Sequence, residues 1–203
     1  MVWDELVARY AWADTDEVAS HTASVVTGRT EEEVIRAFGG DPVSSRDMTF
    51  DEAADEQAEH LYENHHLLQV LGFGQHVVTV ECGYHGSIPE IARRASVGGE
   101  FFSVYSSVNA RYQVMHAVDG RVDGAFDPFE REDADRMDPE PQLPGWARGA
   151  TFHLGSIGAA SFALMERTMD VVFDPVWLEI PLRTFLLPAP AVLFGDSEAA
   201  WQT

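Results

Sequence analysis

A two-residue turn at Asp119 and Gly120 is the feature that most restricts how this chain can fold. Asp-Gly suits the pair of positive-φ residues that a type I′ turn requires, and such a turn joins two antiparallel strands. Residues 111–118 and 121–126 on either side are predicted to be those strands. Residues 101–108 precede them as a third, because apolar and polar side chains alternate along this segment. The sequence therefore predicts three strands connected in a meander.

A short helix is predicted just before this meander. Ser87 and Glu90 have the spacing of a reciprocal helix N-cap, Pro89 is tolerated in the first turn, and Gly98-Gly99 supplies the positive-φ stop. Residues 86–128 thus read as helix, strand, strand, tight turn and strand. All of these signals concern the fold, and none of them is a catalytic signature.

The remaining signals define the fold class. Two more helices are marked by capping boxes at Thr30 with Glu33 and at Thr49 with Glu52, the second helix running to about Glu63. Further strands are predicted at residues 22–27, 67–72 and 76–82. We predict a single α+β domain with a mainly antiparallel sheet, a meander of about five to six strands, packed by several short helices.

The composition changes along the chain and suggests three parts. Residues 1–126 form the α+β core of this prediction. Residues 127–144 are rich in Asp, Glu, Pro and Arg and lack periodicity, which indicates a loop or linker. Residues 145–203 are expected to form a helical and proline-rich apolar segment that packs on the core.

Charge is the sharpest compositional feature of the chain. It carries 34 Asp and Glu against 13 basic residues, all of them arginine, for a formal net charge of −21. Direct nucleic-acid binding is disfavoured, because phosphate contacts need clustered basic residues and only Arg93-Arg94 forms a pair. Two explanations for the acidity remain open: a solubilising surface, or a negative field that attracts a basic partner.

The compartment is predicted from what the chain lacks. Its apolar runs are shorter than a membrane span and interrupted by prolines, so no membrane association is expected. Asp4 and Glu5 stand where a secretory signal would carry positive charge. The single cysteine, Cys82, cannot form an intramolecular disulfide. We therefore expect a cytoplasmic protein.

A set of short motifs lies within roughly residues 20–130. They are Thr27-Gly28-Arg29-Thr30-Glu31-Glu32-Glu33-Val34-Ile35-Arg36, Pro89-Glu90, Arg93-Arg94, Val104, Val108-Asn109-Ala110, Asp119-Gly120-Arg121-Val122 and Ala125-Phe126-Asp127-Pro128. These motifs resemble those of an uncharacterised, mostly actinobacterial protein family. The resemblance implies a shared fold unit and no site, since the family has no assigned activity.

The helix that begins after Thr49 carries one wholly acidic face. At about 100° per residue its apolar side chains separate from six carboxylates with no interleaved Lys or Arg. This face is either a solvated surface or a contact surface for a basic partner, where binding relieves the repulsion between like charges. The candidate partner-binding residues are Asp51, Glu52, Asp55, Glu56, Glu59 and Glu63.

A histidine-rich corner supports an alternative, metal-binding hypothesis. Its candidate ligands are His60, His65, His66 and His85. The spacing is poor, because His60 and His65 are five residues apart and diverge by about 140° on a helix, whereas an i,i+4 pair would share a face. Surface and helix-end histidines are the simpler interpretation.

Cys82 could act as a nucleophile with His85 as base and Glu81 as orienting group. The period-2 pattern instead aligns Cys82 with Val78 and Val80 on a core face of a strand, which favours a buried thiol.

These observations favour a non-enzymatic acidic module that binds a protein partner, plausibly a basic one, in the manner of immunity-type neutralisers or nucleic-acid mimics. No cofactor is predicted, and the oligomeric state is left open. Two alternatives remain: a metal-dependent or small-molecule enzyme at the corner between His60 and His85, and a structural subunit that docks through residues 182–194.

Overall fold

The computed structural model describes residues 2–15, 20–60, 63, 65–109, 111–131, 143–195 and 198–202. Most of the predicted linker, residues 132–142, lies outside the described residues. The described part of the chain contains an eight-stranded sheet with the order β2-β8-β3-β4-β1-β5-β6-β7. The strands are β1 His21–Thr27, β2 Arg46–Met48, β3 His66–Phe73, β4 His76–Glu81, β5 Glu100–Ser106, β6 Tyr112–Val118, β7 Arg121–Phe126 and β8 Leu182–Leu187.

Every neighbouring pair of strands in this sheet is antiparallel. The meander prediction is confirmed for β5, β6 and β7, and the turn between the last two has positive φ at both Asp119 (47°) and Gly120 (76°). Strand β1 pairs with both β4 and β5 and lies between them. The sheet is thus a hairpin and a meander joined through the first strand of the chain.

Seven α-helices surround the sheet in the described residues. They are α1 Trp3–Arg9, α2 Glu31–Ala37, α3 Phe50–Glu59, α4 Pro89–Ala95, α5 Ile157–Met169, α6 Val176–Glu179 and α7 Pro190–Phe194.

The predicted capping boxes were right in two cases out of three. The Thr30 and Thr49 hydroxyls accept hydrogen bonds from the N3 amides of Glu33 and Glu52. In return, the Thr30 and Thr49 amides donate to the carboxylates of the same two glutamates. The Ser87 cap was wrong, because α4 starts after Ile88 and the Ser87 hydroxyl donates instead to the Tyr84 carbonyl at 2.7 Å.

The two faces of the sheet bury separate hydrophobic clusters. One cluster joins Val25, Val80 and Phe102 to α1 and α5, and Phe50 brings the start of α3 onto the same face. The opposite cluster packs side chains such as Val26 and Phe101 against α2 and α4. Helices therefore cover both faces, and the central strands β1, β4 and β5 are buried on two sides.

The strand count exceeds the predicted five to six, because two strands were missed. Strand β2 has only three residues and lies between α2 and α3 in the chain. Strand β8 lies in the proline-broken tail, and its burial pattern does not alternate. It pairs with β2 on one side and β3 on the other, so the tail completes the sheet. Its Leu182, Phe185 and Leu187 are buried inside the molecule.

Candidate functional site

The acidic face of α3 is the first candidate site, and the structure divides its six predicted residues. The helix ends at Glu59, so Glu63 lies beyond it rather than on its face. Four of the others converge with two residues of β2 around a shallow, open hollow of about 440 Å³. We call this surface the acidic hollow; its lining residues are Asp47, Met48, Glu52, Asp55, Glu56 and Glu59.

Strand β2 contributes two of the residues that line this surface, Asp47 and Met48. Its register with β8 places Met48 opposite Leu182, and Met48 is buried with Ala53 of α3 and Leu67 of β3. Asp47 precedes Met48 and adds a carboxylate that the sequence analysis did not identify. A three-residue strand is too short to give a period-2 signal, so no pattern in the sequence pointed to it.

The prediction that the acidic face is unpaired was wrong for part of it. Arg46 of β2 forms an ion pair with Glu56, and His65 Nε2 lies 2.6 Å from the same carboxylate. Burial tends to raise the pKa of Glu56, but the hydrogen bonds from Arg46 and His65 outweigh it and hold that pKa below 4.5. Glu63 is paired with His60, at 3.0 Å.

The remaining carboxylates keep the surface negative. Glu52 accepts a hydrogen bond from the Thr49 amide at 2.8 Å and stays exposed. Asp47, Asp55 and Glu59 are also exposed, and none of them is paired with a basic side chain among the described residues. Asp51 does not line the acidic hollow and belongs to a neighbouring concave surface.

The four predicted histidines form two pairs. The rings of His60 and His65 are 4.9 Å apart beside Glu56 and Glu63, and those of His66 and His85 are 4.8 Å apart. In the part of the chain that the structure describes, no group of three or more His, Cys, Asp or Glu side chains is arranged to hold a metal ion.

The second candidate site is a buried pair, Glu81 at the end of β4 and His85 in the 3-10 helix His85–Ser87. Both are almost fully buried, and His85 Nδ1 lies 3.4 Å from Glu81 Oε2. His85 Nε2 donates to the Pro188 carbonyl at 3.0 Å, and the Gly86 amide donates to Glu81 Oε1 at 2.6 Å. These contacts hold a carboxylate and an imidazole against each other away from water.

The pKa values of the neighbouring His85 and His66 are shifted in opposite directions. Burial lowers the pKa of His85, but Glu81 and the Pro188 carbonyl outweigh it and raise that pKa above 6.5. Burial and then the charge of His85 lower the pKa of His66 below 6.5. The arrangement therefore favours protonation of His85 and disfavours protonation of His66.

Cys82 does not share this chemistry. It is half-buried against the core, and burial followed by the charge of Glu81 raises the pKa of its thiol. A raised pKa keeps the thiol protonated, which opposes a nucleophilic role.

No helix among the described residues combines the length and apolar character needed to cross a membrane. The fold places the chain among α+β proteins built on one antiparallel sheet with helices on both faces. The chain belongs to the family described as "Family of unknown function (DUF6461)", which matches residues 6–179. No curated protein and no solved structure matches it significantly. The family carries no assigned activity, so function has to be argued from the two sites.

Proposed function

We propose that this protein is a non-enzymatic interaction module that binds a basic protein partner through the acidic hollow. The observation that carries the proposal is the convergence of five carboxylates, from β2 and α3, on one concave surface with a methionine among them. A Lys or Arg side chain entering the hollow would meet carboxylates on several sides and an apolar contact for its stem.

The clustered negative charge of the acidic hollow favours binding of a positively charged partner. Carboxylates held close together repel one another, and a partner that brings positive charge removes this repulsion as it binds. The net charge of −21 extends the attraction over the whole molecule and speeds encounter with a basic partner. Arg46 and His65 compensate Glu56 only, so the rim formed by Asp47, Asp55 and Glu59 remains available.

The test compares three forms of the protein as immobilised bait in a lysate of its own cells. The first is the wild type, and the second is the hollow variant Asp47→Asn/Asp55→Asn/Glu59→Gln. The third is a charge-matched control, Asp4→Asn/Glu130→Gln/Asp170→Asn, which removes three exposed carboxylates elsewhere on the surface. Retained proteins are identified, purified and titrated by calorimetry at two ionic strengths.

We expect a basic protein to be retained by the wild type and the control and to bind the hollow variant at least about tenfold more weakly, equivalent to about 1.4 kcal/mol. Its affinity for the wild type should fall steeply at about 0.5 M salt, where the Debye length is only about 4 Å. Equal binding to the hollow variant, or retention of no protein even at low salt, would contradict the proposal.

The buried Glu81–His85 pair and its neighbour His66 support a second candidate function, small-molecule acid–base chemistry. The supporting observation is the opposite pKa shift of two histidines in contact, a pattern that separates an acid from a base. Protein purified without added ligand or metal would be analysed for a bound species by native mass spectrometry and elemental analysis. A species that is retained by the wild type and lost in His66→Gln supports this function, and an empty wild type argues against it.

A further inference from the structure

A second concave surface lies at the start of α3, beside the acidic hollow but separate from it. Its volume is about 430 Å³, within the range of roughly 300–1,000 Å³ that is usual for small-molecule sites. Four side chains give it an apolar wall: Trp12, Phe50, Pro175 and Leu178. We call it the Trp12 hollow.

The charged residues in the described lining of the Trp12 hollow are all acidic. Two hydroxyl residues, Thr15 and Thr49, and two carboxylate residues, Asp51 and Glu179, also line it, and the described lining contains no basic residue. Asp51 and Glu179 are both exposed and come from different helices, α3 and α6. Carboxylates next to an aromatic and aliphatic wall favour a ligand that is positively charged at one end and apolar at the other.

The apolar wall is held rigidly by the core behind it. The Trp12 ring lies 5.0 Å from the ring of Phe162 and 6.0 Å from that of Phe173, centroid to centroid. Phe50 is buried in the same cluster, and Leu178 packs against it. A wall that is already ordered loses little conformational entropy when a ligand binds, so its contact area contributes directly to affinity.

An anionic ligand is the competing class, because the N-terminus of α3 carries a partial positive charge. The Glu52 amide there is already satisfied by the Thr49 hydroxyl, at 3.2 Å. An anion would also meet the full negative charges of Asp51 and Glu179 and the field of a chain with net charge −21. Both local and global electrostatics therefore select a cation.

We propose that the Trp12 hollow is a binding site for a small organic cation, an amine with an aromatic or branched aliphatic body. The ammonium group lies against Asp51 and Glu179, and the body contacts Trp12, Phe50 and Leu178. This site is separate from the acidic hollow, since the two share none of their described lining residues.

The test uses matched pairs of probes that differ only in charge. Phenethylamine and 3-methylbutylamine are compared with phenethyl alcohol and 3-methylbutanol by ligand-observed NMR and calorimetry at low salt. The proteins are the wild type, Asp51→Asn/Glu179→Gln, and the control Asp55→Asn/Glu59→Gln, which removes the same charge from the acidic hollow. Trp12→Leu reports on the apolar wall.

We expect at least one amine to bind the wild type saturably and about tenfold or more tighter than its alcohol. Asp51→Asn/Glu179→Gln should remove this preference, the control should keep it, and Trp12→Leu should weaken amine and alcohol alike. Absence of saturable amine binding to the wild type would overturn the proposal. So would equal affinity for amine and alcohol, or an equal loss in the control. The control variant carries two substitutions expected to impair protein-partner binding, so either function can fail without the other.

Discussion

Tyr10 shows how a single polar atom ties the N-terminal helix to the rest of the protein. Its ring is fully buried, and its hydroxyl donates to Glu166 Oε2 at 2.5 Å and accepts from the Phe173 amide at 3.2 Å. Burial, followed by the hydrogen bond to Glu166, raises the pKa of this hydroxyl well above its ordinary value of 10.0, so it remains a donor at physiological pH.

Tyr10→Phe should destabilise the protein by about 1–3 kcal/mol. The reason is that phenylalanine has no hydroxyl, so the buried Phe173 amide loses its hydrogen-bond acceptor. Urea denaturation measures the change. Tyr112→Phe is the control, since the Tyr112 ring stacks on Phe129 but its hydroxyl makes no hydrogen bond with the described residues. A Tyr10→Phe protein as stable as the Tyr112→Phe protein would contradict this account.

Glu81 and His85 give a second prediction at the residue scale, this time in pH. NMR titration of the imidazole ring protons should place His85 above pH 6.5 and His66 below it. Glu81→Gln removes the negative charge that offsets the effect of burial on His85, so the pKa of His85 should fall. Titration of His85 at an unchanged pH in Glu81→Gln would show that Glu81 is not the cause.

The directions of the two pKa shifts determine how His85 and His66 change the stability of the protein with pH. The raised pKa of His85 means that its stabilising contribution is complete below pH 6.5 and is lost as the pH rises through its folded-state value. The lowered pKa of His66 has the reverse effect, since stability is lost as the pH falls below 6.5. The pair should therefore be most favourable to folding near neutral pH.

At the scale of elements, α5 depends on a cap that comes from a distant part of the chain. Its own N-cap residue, Ser156, makes no side-chain capping bond. Asp14, in the 3-10 helix Ala11–Asp14, accepts hydrogen bonds from the Gly158 and Ala159 amides at 2.7 and 2.9 Å. The carboxylate satisfies two amides that the helix itself leaves free and fixes how the N-terminal segment docks on α5.

Gly158→Ala tests this docking, because helix propensity and packing predict opposite signs. Alanine favours a helix over glycine by about 1 kcal/mol. A Cβ at residue 158, however, would lie 2.6 Å from the Ala13 carbonyl oxygen and 3.0 Å from Asp14 Oδ1. We expect packing to dominate and the variant to lose about 1–3 kcal/mol in denaturant unfolding. Gly145→Ala, with open space around its Cβ, is the control; a stabilised Gly158→Ala would refute the close approach.

The elements that the sequence predicted correctly are those whose signals are local. Capping boxes at Thr30 and Thr49 and the turn at Asp119-Gly120 depend on residues within a few positions of each other, and all three are present. The predicted Ser87 capping box was wrong because Ser87 lies in the 3-10 helix His85–Ser87, where its hydroxyl donates to the Tyr84 carbonyl. The spacing of Ser87 and Glu90 fits this arrangement as well as it fits a helix N-cap. The local sequence pattern does not distinguish a serine that caps a helix from one that hydrogen-bonds within a 3-10 helix.

The candidate site shows the same limit. The carboxylates of α3 were predicted from helical periodicity, but Arg46, Asp47 and Met48 belong to a strand that is recognisable only from its pairing with β8. That pairing joins segments more than 130 residues apart and leaves no trace in either segment alone. The contact between His66 and His85 likewise depends on tertiary structure, and sequence spacing alone could not supply it.

At the scale of the whole molecule, the sheet unites the predicted core, residues 1–126, with the predicted C-terminal segment, residues 145–203. Strand β8 lies between β2 and β3, and α5 supplies a large share of the hydrophobic cluster on one face. A piece ending at residue 126 would leave β2 and β3 unpaired along one edge and would expose Val25 and Phe102 where α5 now covers them. Residues 1–126 and 145–203 therefore contribute to the same sheet and the same core.

The charge of the whole molecule gives the last prediction. If the acidic hollow is maintained for binding, its carboxylates should oppose folding in the free protein, because like charges held together repel. Among the described residues that line the hollow, only Glu56 has a basic partner. The hollow variant Asp47→Asn/Asp55→Asn/Glu59→Gln should then melt a few degrees higher than the charge-matched control Asp4→Asn/Glu130→Gln/Asp170→Asn at low salt. A difference of about 1 kcal/mol corresponds to about 2–4 °C for a chain of this size.

Raising the NaCl concentration to about 0.5 M should abolish most of this difference in melting temperature, because salt screens the repulsion between the carboxylates. Equal melting temperatures at low salt would mean that the acidity is spread without local strain, as expected of a solubilising surface, and would weaken the case for a built binding site.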